Sequence, residues 1–253
     1  MSLHEQTLDV LSRVDAFSIQ QRVHVAEAGT CGCCESPNQY DIFDETNGTR
    51  LMLAEERSSA WTRCCCAPGH SLIVDVHAVD PSGAKLYQAM TLERLGCCMD
   101  KPCLGFCACA GPCADGAVLH AGAVAGDAGS LPEAQIIGKC AQSTVLSGSL
   151  CTPTVVVMAR GEEEIGTITG PFMFGGCTEL CCDTSFKLDD GRAVITKQKP
   201  SSLSDVMREM ATDSDRFKME FRDKSLDPAA KANLIGSMLL LDYMFLERDV
   251  DMC

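Results

Sequence analysis

Apolar and polar residues alternate with a period of two, broken by turn-forming residues, at four places along the chain. "YDIFDETNGTRLML" (Tyr40–Leu53) sets Asn47-Gly48 between two such runs, a strong short-range hairpin signal. "SLIVDVHAVDPSGAKLYQAMTL" (Ser71–Leu92) turns at Asp80-Pro81-Ser82-Gly83, and "TVVVMARGEEEIGTIT" (Thr154–Thr169) turns near Gly161. "SFKLDDGRAVIT" (Ser185–Thr196) turns at Asp190-Gly191, which suits a type I′ turn. Shorter alternation at "RVHVAEA" (Arg22–Ala28) and "FKMEF" (Phe217–Phe221) adds strands. Hairpin, cysteine cluster, hairpin occurs twice, around "TRCCCAPG" (Thr62–Gly69) and "GGCTELCC" (Gly175–Cys182). Such self-similarity predicts a duplicated β architecture of about a dozen strands, enough to close a barrel and remove its edges.

Two segments break the pattern. Gly96 to about Gly148 is rich in Cys, Gly and Ala. Its part "ADGAVLHAGAVAGDAGSLPEA" (Ala114–Ala134) has no clear period and reads as a flexible loop. "SLSDVMREMA" (Ser202–Ala211) predicts a short helix with a capping-box spacing from Ser202 to Asp205.

The last segment, "GSMLLLDYMFLERD" (Gly236–Asp249), belongs to an apolar run from Ala232 to Leu246. That run makes about 22 Å of helix at about 1.5 Å per residue, whereas a bilayer core of about 30 Å asks for about 20 residues. Asp242 sits inside it and would be costly against lipid. A helix apolar nearly all round demands burial on all sides. Enclosure by the sheet is favoured over a span, although Pro228–Arg248 with its flanks is just long enough to cross.

Net charge is −14, so no basic field exists to attract nucleic acid, and an anionic membrane surface is repelled as well. The N-terminus "MSLHEQTLDVLSRVD" has no secretory pattern, and Ser2 stands where myristoylation needs glycine. The 18 cysteines are therefore expected as thiols of a reducing compartment, used in packing, metal ligation or lipidation. No nucleophile elbow, Walker loop, dinucleotide-binding glycine pattern or zinc-protease pair is present, so conventional catalysis has no candidate residues.

"NQYDIFDETNGTRLMLAEE" (Asn38–Glu56), "TRCCCAPG", "TLERLGCC" (Thr91–Cys98), "ITGPFMFGGCTELCCDTSFKL" (Ile168–Leu188), "TDSDRFKMEF" (Thr212–Phe221) and "IGSMLLLDYMFLE" (Ile235–Glu247) follow one another in an order that resembles the phospholipid scramblase family. "LSRVDAFSIQQRV" (Leu11–Val23) fits that family's leading segment. The resemblance implies a mainly β, tubby-like fold: a closed barrel of about twelve antiparallel strands around a central C-terminal hydrophobic helix. Residues 1–37 would lead into a barrel domain over 38–253, with a Cys-rich, flexible insertion over 96–150 and the helix over 228–248. The buried helix face would include Leu239, Leu240, Leu241, Asp242 and Phe245. Asp242 would be hydrogen-bonded inside the barrel or turned to water.

The activity implied is Ca²⁺-activated, ATP-independent, bidirectional movement of phospholipids between leaflets, by a non-enzyme. The place implied is the cytoplasmic face of a membrane, the plasma membrane foremost, with attachment through acylation, the C-terminal helix or both. Partners are membrane phospholipids rather than nucleic acid, and an oligomer stays open. Many members carry a long Pro-rich N-terminal tail for protein partners, and this sequence is expected to do without it. Palmitoylation in the family falls on a stretch matching Cys97, Cys98, Cys103, Cys107, Cys109 and Cys113. Several acyl chains would give stable attachment, at about 0.8 kcal/mol per buried CH₂. Reduced structural thiols or a zinc site are the other readings of that stretch. Cys64, Cys65, Cys66, Cys177, Cys181 and Cys182 suit packing, with zinc shared among them and His70 less favoured.

The family's proposed calcium loop matches Asp213 and Asp215, with Asp223 or Asp227 as further ligands. Phe217, Lys218 and Lys224 stand where such a loop wants an oxygen ligand, a glycine and a glutamate, so an acidic strand edge is an equal reading. The single tryptophan, Trp61, suits a membrane–water interface or a cap on the barrel. The main alternative function is an acylated, membrane-tethered interaction module that moves no lipid.

Overall fold

The period-two runs become strands because one face of each is apolar and must be covered. In Arg216–Phe221, Phe217, Met219 and Phe221 are buried while Arg216, Lys218 and Glu220 turn outward. The computed structural model describes residues 2–22, 36–66, 70–96, 114–143, 154–171, 184–198 and 216–246. Helix α1 (Leu3–Ser12) leads into β1 (Ala16–Gln21), β2 (Gln39–Asp44) and β3 (Arg50–Arg57). A short helix α2 (Ala60–Cys66) precedes β4 (Leu72–Val79), β5 (Lys85–Arg94), β6 (Gly116–Ala121) and β7 (Ile136–Gln142). Then come β8 (Thr154–Ala159), β9 (Glu164–Thr169), β10 (Thr184–Leu188), β11 (Ala193–Lys197) and β12 (Arg216–Phe221). Helix α3 (Pro228–Leu241) ends in a π-turn over Asp242–Leu246.

Each strand pairs antiparallel with its sequence neighbours, and β1 meets β12 to close a twelve-stranded barrel. At that seam Phe17 faces Met219 and Ile19 faces Phe217. Because the strands simply alternate, the barrel has two unlike ends. The turns at Asp44–Thr49, Asp80–Ala84, Ala159–Glu163 and Leu188–Gly191 lie at one end, which we call the turn end. The connections after β1, β3, β5, β7, β9 and β11 all leave from the other, the connection end.

Helix α3 starts at the turn end and runs through the barrel. Pro228 opens it without wasting a donor, and every residue from Ala230 to Leu241 is buried. Its apolar residues interlock with wall residues such as Tyr40, Leu92, Leu119, Val155 and Phe186 in one core. Leu239, Leu240, Leu241 and Asp242 are buried, while the side chain of Phe245 lies outside the described residues. Among the described residues no helix is long and apolar enough to cross a membrane. Lys231 is buried near the start of α3. Its ammonium donates to the carbonyls of Leu11 (3.2 Å) and Val14 (2.7 Å) and so holds α1 against the turn end. Burial pushes the Lys231 pKa down, with Asp15 opposing.

Several expectations change. β1 is a barrel strand although it falls in the stretch 1–37, and β6 and β7 are wall strands inside 96–150. The stretch Ala114–Ala134 is β6 followed by a loop fastened to the outer wall. Arg57 donates to Gly126 O (2.7 Å), Gly129 N donates to Glu93 (2.6 Å), and Val124 is buried beneath. No type I′ turn forms at Asp190-Gly191. Only Gly191 has positive φ (73°), and its N–H donates to Leu188 O, so a type I turn is followed by a left-handed glycine. The strand expected over Arg22–Ala28 falls beyond Arg22 outside the described residues, and the helix expected over Ser202–Ala211 lies wholly outside them.

Candidate functional site: the polar mouth of the barrel

Inward-facing positions are apolar along most of α3 and turn polar at the connection end. Two residues beyond the inward Ala54 stands Glu56, and two beyond Leu92 stands Arg94. Asp115 precedes inward Ala117 by the same interval, and Lys197 follows Ile195 likewise; all four are buried. His70, just ahead of β4, and the π-turn of α3 complete this polar mouth.

Within it, the Arg94 guanidinium grips both carboxylate oxygens of Asp115, at 2.6 Å from Nη2 and 3.2 Å from Nε to the other oxygen. It also lies 5.7 Å from the centre of the Tyr243 ring. The Tyr40 hydroxyl donates to Asp242 at 2.6 Å, so Asp242 is hydrogen-bonded inside the barrel. Tyr40 and Tyr243 meet edge to face. Glu56 accepts from the Tyr243 hydroxyl (3.1 Å), Asn38 N (3.0 Å), His70 (3.0 Å) and Ser58 Oγ. An ionised carboxylate has no proton to give, so His70 donates from Nε2, and its buried Nδ1 has no partner among the described residues.

Burial alone would push the Glu56 carboxyl up, but the donors His70, Ser58 and Asn38 outweigh it and hold it below the ordinary value of 4.5. The stability it contributes is therefore present above that value and lost as pH falls through the depressed folded value. In urea titrations the gap between wild type and Glu56→Gln is expected to be widest at neutral pH and to narrow as pH falls below about 4.5. A gap that does not change with pH would show that the ionised form is not what matters.

A second carboxylate–imidazole pair sits on the outer wall. Glu93 accepts from His120 Nε2 (3.0 Å) and Gly129 N under the fastened loop. There too burial is outweighed, by His120 and Gly129, and the Glu93 pKa is lowered.

The residues singled out in the sequence divide unevenly. Cys97, Cys98, Cys103, Cys107, Cys109 and Cys113 lie outside the described residues, as do Asp213, Asp215, Cys177, Cys181 and Cys182. Asp223 accepts from Ser225 N (2.9 Å) and Oγ (2.6 Å) in the turn after β12, and these bonds lower its pKa. Asp227 precedes α3 and makes no side-chain cap bond. Among the described residues no three His, Cys, Asp or Glu side chains converge as a metal site would need. Glu56, Arg94 and Asp115 are not among the residues that motif and composition single out. Their signal was parity: each continues an inward row by one more step of two.

Comparison with known proteins decides the family. The family model described as Scramblase matches residues 1–248. This chain belongs to the scramblase family. It is 28% identical to human phospholipid scramblase 1 over 246 residues, covering 95% of this chain and 65% of that relative. It is 26% identical to cattle phospholipid scramblase 2, covering 95% and 71%, and 25% identical to human phospholipid scramblase family member 5, covering 96% and 78%. The chain thus spans less than two-thirds of the length of phospholipid scramblase 1. No solved structure matches. For a scramblase-family chain the barrel's main feature is that its interior is filled, by α3 along its length and by paired polar groups at the mouth.

Proposed function

We propose that this chain moves phospholipids between the leaflets of a membrane without a conventional catalytic site. The observation that carries the reading is the scramblase family match over residues 1–248, supported by relatives named as phospholipid scramblases. Calcium activation, independence from ATP and movement in both directions are part of the proposal, as is attachment to the cytoplasmic face of the plasma membrane through acylated cysteines in Cys97–Cys113. Asp213 and Asp215, with Asp223 or Asp227, are the calcium ligands proposed.

The filled interior constrains the mechanism. With α3 buried on every side, a headgroup does not travel through the barrel. Lipid instead moves alongside the protein, where the bilayer is thinned, or between copies of the chain. The same filled interior favours one second reading, a tethered interaction module that moves no lipid. Purified full chain reconstituted in phosphatidylcholine–phosphatidylserine vesicles with a fluorescent lipid separates the two. Transfer faster than in protein-free vesicles, and faster again with Ca²⁺, is expected. Transfer at the protein-free rate under both conditions leaves only the tether.

A further inference from the structure

We infer that the connection end of the barrel is the face laid against the phospholipid bilayer, with Trp61 seated at headgroup level. The inference rests on the membrane association proposed above and adds which surface makes it.

Trp61 is the only tryptophan of the chain and is 76% exposed, the most exposed large apolar side chain among the described residues. Its presentation is ordered. Ser59 Oγ accepts from Thr62 N (3.0 Å) to cap the turn of α2. Arg63 donates to the Ser58 carbonyl (2.9 Å), and Ser58 in turn donates to the buried Glu56. The indole is thus held outward on a turn anchored to the polar mouth. An indole is apolar over its rings and keeps one N–H donor, the combination that favours the membrane–water boundary.

A second, independent observation points to the same end. The strand order assigns every cysteine except Cys140 to a connection that leaves from the connection end, or to the sequence beyond α3, which finishes there. Cys140 faces the core and is buried. The Arg94–Asp115 pair fixes at this end both feet of the connection that carries six of those cysteines. Acylation in these connections would tether lipid chains to segments that begin and end on the side where Trp61 stands.

The opposite end presents the reverse chemistry. Its four turns carry Asp44, Glu45, Asp80, Glu162, Glu163, Asp189 and Asp190 against Arg160, a net negative charge that anionic headgroups repel. Leu86, 62% exposed, follows the Asp80–Ala84 turn at that end and serves as the control position.

One tryptophan makes the test direct. Full chain purified from eukaryotic membranes, with its modifications kept, is reconstituted in phosphatidylcholine–phosphatidylserine vesicles with and without lipid brominated on the acyl chain close to the headgroup. Trp61 emission is expected to shift to shorter wavelength and to be quenched by the brominated lipid. The Trp61→Phe/Leu86→Trp chain should show neither change. Equal quenching at both positions, quenching at Leu86→Trp alone, or none at either overturns the inference. The readout does not depend on transport: quenching at Trp61 with transfer at the protein-free rate keeps this face and removes the scramblase activity.

Discussion

Replacing Arg94 by methionine is expected to destabilise the fold by about 3–5 kcal/mol, the usual cost of stranding one member of a buried ion pair. Asp115 is 3% exposed, so its carboxylate would be left buried without the guanidinium, facing the adjacent Gly116 N–H (2.7 Å). The loss should be seen as a lower urea midpoint, followed by far-ultraviolet circular dichroism. The companion Arg94→Met/Asp115→Leu removes both charges and fills the space with apolar atoms. Because desolvation offsets much of the attraction in a buried pair, this double variant should recover most of the midpoint. Equal damage in single and double variants would mean that the guanidinium works mainly through the Tyr243 ring and other neighbours.

The second large effect is expected where α3 comes closest to the wall. A Cβ added at Gly138 would stand 1.8 Å from Asn233 Oδ1, 2.3 Å from its Cγ and 2.5 Å from its Nδ2. No rotation of the amide alone relieves three such contacts. Asn233 would have to leave its place, giving up its bonds to Ile137 O (3.3 Å) and Ala229 O (2.9 Å). Gly138→Ala should therefore cost about 2–4 kcal/mol from overpacking and lost hydrogen bonds. Asn233→Ala in the same chain empties the notch and should restore much of that stability. A Gly138→Ala chain with an unchanged urea midpoint would show that helix and wall are not in this contact.

That contact also explains why parts of the barrel were hard to read. β7, "IIGKCAQ", carries Gly138 and Cys140 on its inner face because the helix passes close by, so the usual bulky alternation is missing. β6, "GAVLHA", opens with Gly116 and Ala117 and has its outer His120 buried under the fastened loop, so both faces are covered and polarity does not alternate. β1, "AFSIQQ", has Phe17 and Ile19 inward, but buried Ser18 on its other face blurs the period. The other strands were plainer: β2 to β5 and β8 to β12, with the places of the turns between hairpin partners, follow from period and turn residues. The enclosed helix was legible for the opposite reason, since apolarity on all sides leaves no face for water. Glu56, Arg94 and Asp115 escaped notice, and Asp242 and His70 were not joined to them, because the members of the polar mouth lie apart in sequence and meet only when the barrel closes.

The seam between the first and last strands has a consequence for how the molecule comes into being. Residue 16 lies opposite residue 220, so the cylinder stays open until most of the polypeptide has been synthesised. Contacts so distant along the chain are slow to form, and until then sticky inner faces stay uncovered. Assembly late in synthesis, with chaperones shielding a half-built wall, is the biogenesis this architecture calls for.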